Sequence, residues 1–250
     1  MSVPSLPVLR EQIIGCVRCP RLRDYCERVA REKKRAFQDE TYWGRPVPGF
    51  GDPGARLLLV GLAPAAHGAN RTGRMFTGDS SGDFLVRALH RAGFATIPTS
   101  THQDDGLRLV DAFLSAAARC APPDNKPLPS ELEACHPWLR QEADALPNLR
   151  VVVALGRIAF AASIRLLRER GLCPAVRPEF AHGTLCHFSA PDQRKEQGFS
   201  PAPLFLIASY HPSRQNTNTG RLTEAMFDDV FAAARGVLDR PDGAHGDPLV

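Results

Sequence analysis

The chain has 250 residues, enough for one sizeable core or two small ones, and an ordinary globular share of hydrophobic residues, 43%. Its formal net charge of +4 is mildly basic, compatible with nucleic acid but not specific to it. No run reaches the roughly 18 apolar residues of a membrane span, and the start, MSVPSLPVLREQIIGC, lacks the charged and apolar regions of a secretory signal, so a cytoplasmic protein without membrane contact is expected.

Along the chain, REKKRAFQDE (31–40) reads as a solvated helix end. ARLLLVGLAPA (55–65) is a buried strand running into a Gly/Pro turn, and SGDFLVRALHRAGF (81–94) a helix with apolar residues at 84, 85, 88 and 89. LRLVDAFLSAAARC (107–120) is strand-like at its centre. LPSELEACHPWLRQEADAL (128–146) is a helix, with Ser130 as N-cap and Glu133 completing a capping box. LRVVVALG (149–156) is a strand, and RIAFAASIRLLRERG (157–171) a helix closed by Gly171. SAPDQRKEQGFSPAP (189–203) reads as a flexible insertion before the strand PLFLIASYHP (203–212). A C-terminal helix follows, and residues 241–250 form a frayed tail, so residues 1–240 make a single domain. Continuous apolar strands alternating with helices predict a parallel sheet covered on both faces, with ligands bound at the carboxyl ends of its strands.

Seven cysteines are many for a reduced compartment, and their number is odd. Metal binding or catalysis is therefore favoured over disulfides. Cys16 and Cys19 form C-x-x-C; Cys120 opens CAPPDNKP and Cys135 lies on the next helix. Four thiolates suit zinc or an iron–sulfur cluster. The competing reading makes Cys120 and Cys135 ordinary buried cysteines. Cys26, Cys173 and Cys186 have no partner pattern.

Two loops carry the polar chemistry. GLAPAAHGANRTGRMFTGD (61–79) follows the first strand, and its small residues let a flat ligand approach the backbone. It is neither a phosphate-binding Walker loop nor G-x-G-x-x-G. His67, Asn70, Arg71, Thr72, Arg74, Thr77 and Asp79 supply polar groups there; a plain surface loop is the alternative. SYHPSRQNTNTGR (209–221) ends the last strand, where Pro212 restrains the backbone after His211. Ser213, Arg214, Gln215, Asn216, Thr217 and Asn218 follow, with groups suited to phosphates and base edges.

These two loops, with ALGRIAF between them and with Cys16, Cys19, Cys120 and Cys135, resemble the family-5 (type B) uracil-DNA glycosylases, iron–sulfur members of the uracil-DNA glycosylase superfamily. The resemblance covers most of residues 10–236. It implies a three-layer αβα fold around a mostly parallel four-stranded sheet and a monomer active on DNA in the cytoplasm, at the nucleoid. The implied activity is monofunctional: uracil and other deaminated bases, of the hypoxanthine, xanthine and ethenocytosine type, are removed and the backbone stays uncut. It also implies a [4Fe-4S] cluster on Cys16, Cys19, Cys120 and Cys135. Gly61, Leu62, Ala63, Pro64 and Ala65 would line the base pocket with Asn125, and Phe76 would stack on the base. His211 would donate to the uracil O2, Asp79 would serve the sugar cation or the water, and residues 213–218 would enter the minor groove.

Two departures from the wider superfamily stand out. Ala63 occupies the position where most families carry Asp or Asn, and Leu62 the position where family 4 carries Glu. The pocket asparagine of other families is missing near Ser115 and Ala116, which implies a broader pocket. His67 competes with Asp79 for the catalytic role, since it lies in the same loop. Two other readings stand beside the enzyme: an iron–sulfur electron carrier, and a zinc-stapled nucleic-acid-binding module.

Overall fold

Unbroken apolar runs form the central strands because both faces of the sheet are covered. The computed structural model describes residues 4–191 and 202–240. The strands are β1 (Phe50–Gly51), β2 (Leu57–Gly61), β3 (Ala112–Ala116), β4 (Val151–Leu155), β5 (Cys173–Pro174), β6 (Leu185–Ser189) and β7 (Leu204–Ser209). They form one sheet in the order β1-β3-β2-β4-β7-β6-β5. The parallel centre β3-β2-β4-β7 is the expected four-stranded sheet. Antiparallel β1, β6 and β5 extend it at the edges. These edge strands escape a reading by apolar runs because they are two to five residues long and mostly half-buried.

The helices are α1 (Leu6–Ile14), α2 (Pro20–Glu32), α3 (Ala69–Thr72), α4 (Ser80–Arg91), α5 (Pro129–Asp144), α6 (Arg157–Glu169), α7 (Arg214–Asn218) and α8 (Glu224–Leu238). Successive strand residues point to opposite faces. Leu57 and Leu59 of β2 pack with α4 and α8, whereas Leu58 and Val60 pack with α5 and α6. The result is three layers, αβα. The N-terminal helices sit outside this sandwich: Leu9 and Ile13 of α1 pack on Cys135 and Trp138 of α5, and Leu22 and Cys26 of α2 on Cys120 and Ala121.

Helix α5 begins earlier than its expected cap. Pro129 takes the first helical position, Leu128 is the N-cap, and Ser130 lies inside the helix. Glu131, not Glu133, reaches back and accepts from the Leu128 main-chain N–H at 2.7 Å. Pro129, lacking an N–H that a cap would have to satisfy, starts the helix two residues sooner. Gly171 follows α6 at φ 78°, as its reading as a helix stop requires. Residues 192–201 of the expected insertion and the expected tail at 241–250 lie outside the described residues, while Ser189 closes β6. Among the described residues no helix is long and apolar enough to cross a membrane.

Leu59 lies at the centre of β2 with no exposed surface. Leu59→Ala should cost about 3 kcal/mol by denaturant unfolding, because the closed sandwich cannot collapse around the cavity.

Candidate active site

The loops after β2 and β7 meet at the carboxyl edge of the sheet. Between them opens a cavity of about 560 Å³. Leu62, Ala63, Ala65, Phe76 and Asp79 line it from the first loop, His211, Ser213, Arg214 and Gln215 from the last, and Asn125 from a turn after β3. Met75, Ser80, Ser81 and Asp124 complete it; apolar pattern and motif spacing single out none of these four. Gly61 and Pro64 do not line the cavity.

Gly61 lies beneath it. A Cβ there would stand 2.8 Å from two ring carbons of Phe76, so the ring rests where only glycine fits. Phe76 has φ 51°, a left-handed backbone that costs a bulky residue about 1–3 kcal/mol. Gly82 makes room for that turn, since a Cβ on it would meet the Phe76 carbonyl oxygen at 2.2 Å. Asp124 and Asn125 also have positive φ, 53° and 56°. Strained residues thus gather around one cavity.

Most polar residues of the first loop turn away from the cavity and hold the loop. Arg74, 4% exposed, donates to Thr77 Oγ1 (2.9 Å), Ser100 Oγ (3.1 Å), the Gln103 carbonyl (3.1 Å) and Asp105 Oδ2 (2.6 Å). Burial alone would raise the Asp105 carboxyl. Arg74 and the N–H groups of Leu107 and Thr101 outweigh it and bring the value to about 2. Arg71 pairs with Glu40, donates to the carbonyls of His67 and Gly78, and lies over the Phe37 ring. Asn70 and Thr77 are fully buried. His67 accepts or donates at Nδ1 with the Tyr42 hydroxyl, 3.0 Å away, and does not line the cavity.

Asp79 caps α4. Its Oδ1 accepts from the N–H groups of Ser81 (2.9 Å) and Gly82 (3.0 Å). Oδ2 lies over Gly68, where a Cβ would come within 2.0 Å of it. Burial raises the Asp79 carboxyl above its ordinary value, and the two N–H donors offset part of that rise.

His211 lies against Gly156, whose φ of 97° and missing Cβ admit it; a Cβ there would be 3.3 Å from that of His211. Burial pulls the His211 imidazole down to about 4, so the ring is neutral at physiological pH. Its ring lies 6.2 Å from that of Phe76, tilted by 31°. His182, for which the sequence carries no signal, braces this strand end: its Nδ1 accepts from the Tyr210 N–H (3.2 Å) while Nε2–H donates to the Met226 carbonyl (3.1 Å).

The segment after Pro212 is the short helix α7, not an open loop. Ser213 caps it, accepting from the Asn216 N–H at 3.4 Å. The Asn216 amide donates to the His211 carbonyl (2.8 Å), and the Thr217 hydroxyl to the Ser213 carbonyl (3.2 Å). Both polar groups are thereby engaged within the chain. Arg214, Gln215 and Asn218 are exposed.

A model of the uracil DNA glycosylase superfamily matches residues 48–235, a span that includes both loops and the cavity. The chain belongs to the uracil DNA glycosylase superfamily. A type-5 uracil-DNA glycosylase of Thermus thermophilus is 52% identical over 90% of this chain and 94% of its own length. One from Pyrobaculum aerophilum is 41% identical over 89% of each chain. A type-4 uracil-DNA glycosylase of the latter organism is 32% identical over 66% of this chain and 68% of its own. As a member of this superfamily the chain is a DNA glycosylase, a hydrolase of N-glycosidic bonds.

In this glycosylase the four singled-out cysteines come from separate chain segments and act electrostatically on one another, Cys16 and Cys120 on Cys19 and both Cys19 and Cys120 on Cys135. Burial, then the neighbouring thiols of Cys120 and Cys16, raise Cys19; burial raises Cys135 to about 12, opposed by the charge and the main-chain N–H of Arg119, with Cys120 and Cys19 adding smaller pushes upward. N–H donors point at two of the sulfurs: the Trp138 indole at Cys16 (3.4 Å) and the Arg119 main chain at Cys135 (3.2 Å). Such donors suit thiolates rather than thiols, so the set fits a group that deprotonates it. Among the described residues no three His, Cys, Asp or Glu side chains could hold one metal ion. Cys26, read as unpartnered, lies fully buried against Cys120 and points its thiol at the Ala121 carbonyl.

Gly61→Ala should drive a methyl group into the Phe76 ring. We expect base release to fall by at least about 10²-fold, the scale for displacing a positioned group by an ångström, with the melting transition retained.

Proposed function

We propose that this glycosylase extrudes uracil from DNA into the cavity and hydrolyses its N-glycosidic bond, leaving an abasic site and an uncut backbone. The observation that carries this reading is the convergence of Phe76, Asp79, Asn125 and His211 on one cavity in a chain similar to type-5 uracil-DNA glycosylases. A base inside a duplex cannot be reached in place, and extrusion costs a few kcal/mol.

As the bond from C1′ to the base breaks, its electron pair passes to the base, and positive charge grows on the sugar. His211, neutral and desolvated, donates its ring N–H to the developing charge on the uracil O2. The Asp79 carboxylate, with Oδ2 free of the helix cap, faces the sugar cation and positions the water that adds at C1′. Phe76 stacks on the base, and the backbone of residues 61–65 with Asn125 borders it. The small side chains of Ala63 and Ala65 and the cavity volume support a pocket that also admits hypoxanthine, xanthine and ethenocytosine. Arg214, Gln215 and Asn218 occupy the gap in the minor groove beside Ser213, with α7 braced by Asn216 and Thr217. The enzyme works as a monomer in the cytoplasm, at the nucleoid, and residues 1–240 form its single domain.

Cys16, Cys19, Cys120 and Cys135 would hold a [4Fe-4S] cluster, a group held by four cysteine thiolates. When bound, the group supplies a cross-link from the N-terminal helices to the end of β3 and to α5; base removal does not pass through it.

The deciding assay is release of free base from a duplex holding one uracil, with the strand left intact; a chain that binds the duplex and releases no base is not this enzyme. Asp79→Asn, which keeps the helix cap, should lose about 10²–10³ in single-turnover rate, the scale of one electrostatic transition-state contact, with binding little changed. His211→Ala should lose a comparable factor, more for uracil than for a purine, whereas His67→Ala keeps most of the rate.

The pH profile should fall only on the acid side. Asp79, raised by burial, takes up its proton at a higher pH than a free carboxylate, and His211 stays neutral down to about 4. An inflection near the ordinary imidazole value of 6.5 that vanishes in His211→Ala would contradict the neutral donor.

Replacing Gln215 and Asn218 together by Ala should weaken binding to duplex more than to single strands, by gel shift at fixed salt. Equal losses would argue against insertion into a duplex.

A further inference from the structure

Four buried side-chain polar atoms lack a hydrogen-bond partner among the described residues, and three are guanidinium nitrogens: Arg23 Nη1, Arg119 Nε and Arg119 Nη1. Buried polar groups are normally paired, and a buried cation with idle donors is costly. Both arginines stand beside the cysteine set. Arg119 directly precedes Cys120 and is 1% exposed. Its main chain donates to Cys135 Sγ, and its charge acts on that thiol. Arg23 sits one helical turn after Cys19, with its N–H on the Cys19 carbonyl at 3.0 Å, and its guanidinium acts on Cys120.

What holds them in place leaves these atoms free. Arg119 Nη2 donates to Ser115 Oγ (2.9 Å) and Glu142 Oε2 (2.8 Å). Glu142 is itself fixed by Ser115 (2.8 Å) and by the Gly49 N–H (2.8 Å). Arg23 Nη2 donates to Glu27 (2.9 Å) and to the Gly44 carbonyl (3.1 Å). Each guanidinium thus spends one edge on its support, while Arg23 Nη1 and Arg119 Nε and Nη1 stay buried without a partner; the Arg23 guanidinium acts on Cys120 and the Arg119 charge on Cys135.

We propose that Arg23 and Arg119 are the counter-cations of the cluster held by Cys16, Cys19, Cys120 and Cys135, offsetting its negative charge and setting its retention and reduction potential. The inference rests on the cluster reading above. Four thiolates outweigh the iron–sulfide core in charge, and net charge, hydrogen bonds to sulfur and solvent exposure tune such clusters. A cation stabilises the more negative, reduced state, so its removal should shift the potential downward.

The rival reading is that Arg119 merely neutralises Glu142. Arg119→Met alone strands a buried carboxylate, so the decisive variant is Arg119→Met with Glu142→Gln, which leaves no buried charge. Arg23→Met is the companion, since Glu27 is 52% exposed and needs no partner. The holoproteins, purified without oxygen, are compared for iron and sulfide content, iron loss to a ferrous chelator, and potential. Both variants should lose iron about 10-fold faster or more, the range for outer-shell partners of metal ligands, at more negative potentials. Arg119→Lys should restore part of each shift. Wild-type iron loss and potential in either charge-removing variant would overturn that arginine's part. Wild-type protein without iron and sulfide would sink the cluster reading itself, and this inference with it.

Discussion

A buried arginine, Arg74, holds the loop on which the cavity is built. Its four acceptors come from residues 77, 100, 103 and 105, so it ties the MFTGD segment to the chain that leads into β3. A buried ion pair gives little net stability, because desolvation consumes most of the attraction. What it provides is a single geometry. The left-handed turn at Phe76 is uphill by itself and persists because the residues on either side of it are fastened. Arg71 does the same for the loop's outer half, joining Glu40, His67 and Gly78.

From that anchoring the electrostatics of the site follow. Asp79 arrives at the cavity because it caps α4, and the cap occupies one carboxylate oxygen while Gly68 gives the other room. His211 arrives from the opposite loop, wedged against Gly156 and desolvated until its pKa drops to about 4. One environment keeps a donor neutral, and the other sets the carboxylate opposite it. Groups separated in this way have distinct parts available in one bond cleavage.

The N-terminal helices attach by a different logic. They contribute no strand and pack on the outside of the sandwich, through small clusters in which Cys135, Cys120 and Cys26 take part. Residues far apart in sequence meet there around sulfur, with Trp138, Arg119 and Arg23 as the surrounding donors and charges. Apolar burial alone is thin at this junction, which is where a metal group would contribute most to folding.

The sequence by itself determined the parallel centre of the sheet, the helices that cover it and the two loops that border the cavity. Runs such as LLLVG and VVVAL are apolar on both faces, and such strands exist only where helices cover both sides. The cysteine spacing and the loops at 61–79 and 209–221 were legible for a similar reason: local composition that no simple connection needs. Tertiary structure alone decided which polar residues of those loops face the cavity. Asn70, Arg71, Arg74 and Thr77 look as exposed in sequence as Asp79, yet all four are buried supports, because segments far from the loop supply many of their partners: Cys26, Glu40, Ser100, Gln103 and Asp105. Met75, Ser80 and Ser81 border the cavity because Phe76 takes a left-handed turn, and His182 braces Tyr210 from a segment without pattern. Buried arginines beside cysteines were likewise invisible, since a charge in sequence carries no sign of burial until distant segments, here residues 23, 119 and 142, are brought together.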